Sequence, residues 1–336
     1  MIPAPENCFD VAIAGGGPAG ATIARLLARA GRRTVLIDLL ENRTGRLELI
    51  APAVLPIIEA LALTPLLAEP LIALPCPGVR RRWGLTADQP RIEDFLRHPG
   101  GRGFVVDRRQ FDLSLRRLAE QEGADLREGK VTSVRRVDGA MVLNIRHDRS
   151  EVAIRARLIV DATGRPAALA RRLGARRQMT QRLVATLLAS PRGNGPEWLD
   201  VQDDANGWSY RIAGPGGRAE VSRVTTGPAK PDARTGHRVD ASAAVLSRSA
   251  GGDWLAVGDA AAAFDPIASQ GLANALGSSL VAAGAVLSGA FAADSRQRGY
   301  SDLILAAFLR SEAERREVYR ASRREASGTS LAAPTA

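Results

Sequence analysis

Lysine is almost missing from this chain of 336 residues. It occurs only at Lys130 and Lys230, and arginine supplies the rest of the 46 basic residues. Chemistry that needs a lysine amine therefore has two candidates. Aromatics are scarce as well, with 7 Phe, 4 Trp and 3 Tyr, so the position of each carries information. Cysteine is limited to Cys8 and Cys76 with no CxxC, which excludes a disulfide framework and suits a reducing cytoplasm. His98, His147 and His237 lie far apart without metal-ligand spacing, and no metal is expected. No basic segment followed by an apolar one opens the chain, so no secretory signal is expected. No run is apolar enough for a membrane span. Residues 266–293 carry no charge, but they contain Gln270, Asn274, four serines and several glycines, which suits a closely packed buried helix. Acidic residues are outnumbered, 36 against 46, for a net charge of +10. The arginines are dispersed and not interleaved with aromatics, so nucleic acid is not expected as a partner; an acidic partner surface fits better. At 45% hydrophobic and 24% charged the composition is globular, and the length allows one large domain or two interleaved ones.

The first segment with internal order is FDVAIA (9–14), a short apolar run that ends in Gly15-Gly16-Gly17-Pro18-Ala19-Gly20. An Ala/Leu-rich helical pattern follows to Gly31, then a second strand, TVLID (34–38). This is a β–glycine loop–α–β unit with the spacing Gly15-x-Gly17-x-x-Gly20 at the strand-to-helix junction, the context that gives the motif its specificity. Gly15 permits the tight turn, Gly17 lets backbone N–H groups approach a diphosphate, and Gly20 lets helix and sheet pack closely. The helix N-terminus adds positive potential. Asp38 ends the second strand, where a carboxylate can reach ribose hydroxyls.

Further along, residues 53–72 read as a helix interrupted by Pro56, Pro65 and Pro70, and a strand is expected near 78–85. A helix is expected over 108–122, with strands near 130–137, 140–147 and 151–160, the last running into Asp161-Ala162-Thr163-Gly164. Strands are expected at 181–190, 206–213 and 218–226, with a hairpin at Gly214-Pro215-Gly216-Gly217. Residues 227–243 read as loop, 253–257 as a strand leading to Gly258-Asp259, 298–324 as an amphipathic helix and 326–336 as a disordered tail.

Taken together, GGGPAG (15–20), DATG (161–164) and GDAAAAFDPIASQGLANAL (258–276) resemble the FAD-binding fold of p-hydroxybenzoate hydroxylase type. The stretches RRRWG (80–84), GFVVDRRQFD (103–112), DATGRPAALARRLGA (161–175) and AFDPIASQGLANAL (263–276) resemble its flavin-halogenase-like branch. They are most similar to LodB-like and QhpG-like flavoproteins that modify a Trp of a partner peptide during quinone-cofactor maturation. The resemblance implies an α/β fold: a Rossmann-like FAD-binding domain of the p-hydroxybenzoate hydroxylase/glutathione reductase type (1–75, 101–180 and 250–325), interleaved with a β-sheet substrate domain (76–100 and 181–249) and ending in a helical C-terminus. It implies FAD held by Gly15, Gly17, Pro18, Ala19, Gly20, Asp38, Arg108, Asp161, Gly164, Gly258, Asp259, Pro266, Gln270, Gly271, Leu272 and Asn274. In this pattern Asp259 faces ribityl hydroxyls and Pro266–Asn274 the flavin pyrimidine edge. Electrons would come from NAD(P)H bound transiently or from a separate flavin reductase. No single catalytic residue is implied, because the cofactor carries the chemistry. Candidate cavity residues are Trp83, Phe95, Phe104, Trp208, Tyr210, Phe264 and Pro266.

The resemblance implies a monooxygenase that hydroxylates an aromatic substrate, a small molecule or a peptide-borne Trp or Tyr, through a C4a-hydroperoxyflavin. Two family chemistries stand beside it. Halogenases of this branch carry a catalytic Lys and a WxWxIP element; here neither Lys130 nor Lys230 sits near a flavin motif, and the element reads Gly207-Trp208-Ser209-Tyr210-Arg211-Ile212. Geranylgeranyl-type reductases carry a YxWxFP-like element that is also absent. The Gly-Glu that follows the second strand in the family appears as Leu47-Glu48. A non-catalytic flavoprotein that binds a partner is the fourth reading. The thioredoxin-reductase class also begins GGGPAG, but it needs a second glycine fingerprint and a CxxC.

Overall fold

The computed structural model describes residues 7–39, 45–83, 89–191, 198–204, 206–226, 237–289 and 294–327. A strand that is apolar on both faces must be covered on both faces, which parallel sheets achieve with flanking helices. Cys8–Ala14 is such a strand. It lies between Thr34–Asp38 and Ser150–Asp161, parallel to both, with Ala12 opposite Val35 and Ile159. Asp125–Glu128 adds beside Thr34–Asp38 and Trp254–Ala256 beside Ser150–Asp161, both also parallel. Lys130–Val137 and Ala140–His147 join the same sheet as an antiparallel meander onto the first half of Ser150–Asp161.

Helix α1 (Pro18–Arg29) follows the glycine loop, and nine of its twelve residues are buried. The Pro-broken stretch forms α2 (Leu55–Ala60) and α3 (Thr64–Ala68), each with proline in its first turn, where the missing N–H costs nothing. Helix α4 (Arg108–Gln121) is capped by the Asp107 carboxylate, which accepts from the Arg109 and Gln110 N–H groups. Helix α5 (Ala168–Arg172) is short. The uncharged segment becomes α6 (Gly271–Leu287), whose small residues let it lie against α1, with Ser279 Oγ donating to Ala19 O at 2.8 Å. Helix α7 (Asp294–Ser327) ends the described chain.

A second sheet has seven strands in the order His237–Asp240, Leu183–Ala189, Ala219–Thr226, Gly207–Ala213, Leu199–Asp204, Gly78–Arg82, Arg91–Asp94. All neighbours are antiparallel except Leu199–Asp204 with Gly78–Arg82. Gly214–Gly217 closes the expected hairpin between Gly207–Ala213 and Ala219–Thr226. A three-stranded sheet (Leu47–Ile50, Gly103–Asp107, Ala73–Cys76) packs against its inner face, and Leu47, Leu49, Val105, Val201, Trp208 and Ile212 join in one core cluster.

The structure departs from sequence expectation at several elements. The strand expected over 78–85 is Gly78–Arg82, and residues 84–88 lie outside the described residues. His237–Asp240 is an edge strand where 227–243 reads as loop; Lys230 and the rest of 227–236 lie outside the described residues. Leu199–Asp204 (LDVQDD) carries three aspartates and has little strand character, yet neighbours on both sides supply its pairing. Helix α7 begins four residues earlier than expected and includes Ala326 and Ser327; the rest of the expected tail, 328–336, lies outside the described residues. No helix among the described residues is long and apolar enough to cross a membrane.

Candidate functional site

The carboxyl end of the parallel sheet is where its loops diverge and a ligand can enter. Gly15 sits at φ +107°, a conformation open to glycine, and a Cβ there would lie 2.2 Å from Ala162 O. A Cβ on Gly20 would lie 1.8 Å from Gly15 O, so this glycine is required for α1 to sit against its own loop. Gly17 caps α1 without a side-chain partner, and no acidic residue occupies the first turn. The first N–H groups of the helix are thus free of protein carboxylate, as an anion site requires.

A cavity of about 280 Å³ opens here. At one end it is walled by Gly15, Gly17, Pro18, Ala19, Gly164 and Asp259. At the other it is walled by the inner face of the seven-stranded sheet, with Leu187, Val201, Trp208, Tyr210 and Ile212. Phe264, Pro266, Gln270 and Gly271 line it as well. The cross-strand register Arg81, Val201, Tyr210 explains why these three side chains share one face and one cavity.

Other expected residues lie behind this lining. Gly20 serves the loop's packing. Asp38, 4% exposed, abuts Gly16 and lies 3.4 Å from Arg116 Nη1 of α4. The Asp161 carboxylate turns inward and accepts from Thr163 N and Oγ1 and from the N–H groups of Leu169 and Ala170, fastening the 161–164 loop to α5. Gly258 donates its N–H to Ser278 Oγ, Asn274 donates to Ala262 O, and Leu272 is buried. Trp83 points at the C-terminal helix, donating to Val318 O at 3.0 Å. Phe104 packs on the main core and Phe95 in the core beneath the second sheet.

Arg108 reaches the cavity between two carboxylates: it pairs with Glu48 and, through Nε at 3.0 Å, with Asp112. Burial alone would lower its pKa, but Asp112 and Glu48 outweigh burial and raise it. Glu48 shows the reciprocal effect. Burial would raise it, but Arg108, Arg46 and the Leu272 N–H together hold it below the usual carboxylate range. The Glu48 carboxylate thereby occupies the first turn of α6. Asp265 also lines the cavity, and burial pushes its carboxyl up, only partly offset by the Ile267 N–H, Arg315 and Tyr319.

Sequence reasoning missed Arg165. Arg165 Nε lies 3.4 Å from Asp259 Oδ2 and its Nη2 donates to Phe264 O, so one guanidinium aligns two cavity segments. Its place directly after the DATG glycine was the available signal. No group of His, Cys, Asp and Glu among the described residues could hold a metal.

A glycine-rich strand-to-helix loop, a helix N-terminus without a side-chain cap and an aspartate in the same cavity wall fit a flavin dinucleotide, and the class that fold and site define is that of FAD-binding flavoproteins. The chain belongs to the FAD binding domain family, whose description matches residues 8–193. It is 30% identical over 158 residues to a digeranylgeranylglycerophospholipid reductase of Thermoplasma volcanium, covering 46% of this chain and 39% of the relative. It is 29% identical over 191 residues to a 1H-pyrrole-2-carbonyl-[peptidyl-carrier protein] chlorinase of Pseudomonas fluorescens, covering 51% and 42%. The matched segment thus spans about two fifths of these curated relatives. Among solved structures, the peptidyl tryptophan dihydroxylase QhpG superposes with a TM-score of 0.76 at 23% identity, covering 94% of this chain and 75% of that one.

Proposed function

We propose that this flavoprotein is an oxidoreductase, an FAD-dependent monooxygenase that adds oxygen to an aromatic substrate, free or borne on a peptide. In this reading segments 1–75, 101–180 and 250–325 form the cofactor half, and 76–100 with 181–249 the substrate half. The supporting observation is the cavity wall. It joins Trp208 and Tyr210 to an aliphatic floor of Leu187, Val201 and Ile212, while no lysine among the described residues lines it. Lys130 is exposed on the central sheet. Arginine is a poor replacement for a compact amine that must hold a halogenating species.

Bound along this cavity and reduced by the donor, FAD would supply the two electrons that activate O2, one oxygen atom going to the substrate and the other to water. The chain's own residues then have defined tasks. The α1 N–H groups and Gly17 would hold the diphosphate, and Asp259, paired with Arg165, would accept from the ribityl hydroxyls. The apolar wall excludes water and presents the ring. The electron donor in this scheme is transient NAD(P)H or a separate flavin reductase.

The test loads the protein with FAD, reduces it, and admits O2 with excess bromide and a panel of aromatic compounds and Trp-containing peptides. Product mass is the readout. A gain of oxygen is expected. A gain of bromine would sink the reading. A gain of two hydrogens without oxygen would favour the second reading, a double-bond reductase, which the likeness to the archaeal reductase supports.

A further inference from the structure

Trp208 lines the cavity, yet its indole N–H is already engaged from outside the lining. Nε1 donates to the Tyr319 hydroxyl of α7 at 2.9 Å, and that hydroxyl lies 3.2 Å from Asp265 Oδ2. The chemistry of the three groups orders the chain. Indole N–H only donates, a phenol carries one proton, and an ionised carboxylate only accepts. Tyr319 oxygen must therefore accept from Trp208 and its proton must point at Asp265. The other carboxylate oxygen, Oδ1, accepts from the Ile267 N–H at 2.9 Å. Three separate elements meet here: the seven-stranded sheet, the 265–268 turn and the far end of α7.

The surroundings hold Tyr319 in place. The Trp83 ring lies 6.3 Å from it and 6.5 Å from Trp208, and Trp83 is tied to Val318 O. The Arg315 guanidinium stands 5.7 Å from the Tyr319 ring centroid and pairs with Glu312. Arg315, Glu312 and Tyr319 are the charged or titratable neighbours that act on Asp265.

We propose that Tyr319 is a positioning residue of the substrate compartment: by consuming the indole N–H of Trp208 and bracing it on Asp265, it leaves Trp208 to offer only its ring, so that this wall selects flat aromatic ligands. The ligand half of this inference rests on the reading above, that this compartment receives the substrate. Loss of the Tyr319 hydroxyl would leave an unsatisfied donor in the wall, where an apolar ring cannot satisfy it.

The experiment uses the FAD-loaded full chain with 15N-labelled indoles, and the Trp208 resonance is assigned by its absence in Trp208→Phe. In the wild type this resonance is expected to move as Asp265 titrates. In Tyr319→Phe it should stop responding to pH, and its hydrogen exchange should rise roughly 2- to 10-fold, the range of one net hydrogen bond. Free indole is the ligand probe, and its calorimetric Kd should rise by a similar factor in Tyr319→Phe. An unchanged pH response and exchange rate in the variant would overturn the hydrogen-bonded chain. A changed resonance with unchanged indole affinity would overturn the ligand selection and leave the chain standing. Neither outcome depends on whether the product gains oxygen, so failure of the monooxygenase reading is seen separately.

Discussion

Single carboxylates in this cavity differ in what their charge contributes. Asp259 faces the cavity and is held by Arg165 at 3.4 Å. Asp259→Ala is expected to weaken FAD binding by roughly 1–3 kcal/mol through lost hydrogen bonds to a charged group, read by flavin fluorescence titration; unchanged affinity would remove Asp259 from the site. Glu48 and Asp265 shift in opposite directions. The Glu48 carboxyl lies below its ordinary value in the fold, so its stabilising contribution is present above the unfolded value and is lost as pH falls through the folded one. Glu48→Gln should cost about 2–4 kcal/mol near neutral pH, because it leaves Arg108 buried with one partner fewer, and should flatten the acid limb of a urea-midpoint profile. Asp265 is raised by burial, so its ionisation penalty is full above the folded value and is relieved as pH falls. Asp265→Asn, which keeps the cap on Ile267, should be no less stable than the wild type at neutral pH.

Two helical glycines separate element-level effects that the residue type alone does not. In α1, Gly20→Ala gains about 1 kcal/mol of helix propensity but drives a Cβ to 1.8 Å from Gly15 O. Overpacking against backbone, typically about 1–3 kcal/mol or more, wins. In α6, Gly284 is exposed and a Cβ there meets nothing within 4 Å, so Gly284→Ala should stabilise by up to about 1 kcal/mol. Urea midpoints that move in the same direction for both variants would show that the α1 loop relaxes around the methyl. The contrast was half legible beforehand. Gly20 belongs to a fingerprint whose spacing states its role, whereas the freedom at Gly284 depends on which face of α6 meets α1.

For the whole molecule, the family is an FAD-binding one, and its glycine loop lines the same cavity as the second sheet. FAD is expected to be the flavin released on denaturation, with FMN binding far more weakly, because in the proposed reading Gly15, Gly17 and the α1 N-terminus would hold the diphosphate that FMN lacks. Added FAD at a hundred times its Kd should raise unfolding free energy by about 2.7 kcal/mol; a larger stabilisation by FMN in a thermal melt would contradict this assignment.

Local geometry made the cofactor motifs readable in the sequence. A strand, a glycine spacing and a helix follow one another within thirty residues, and the uncharged segment 266–293 pointed to α6, of which one face is buried while Leu280, Val281 and Gly284 are exposed and 290–293 lie outside the described residues. The α/β class, the hairpin at 214–217 and the neighbourhood of Trp208 and Tyr210 were legible for the same reason. Only the tertiary structure decided the rest. Asp161 fastens a loop, Glu48 bridges Arg108 to the start of α6, and Trp83 turns toward α7. The contact of Tyr319 with Trp208 and Asp265 spans 111 and 54 residues of chain. Such pairings depend on how separate elements pack, and no spacing or periodicity within a short window encodes them.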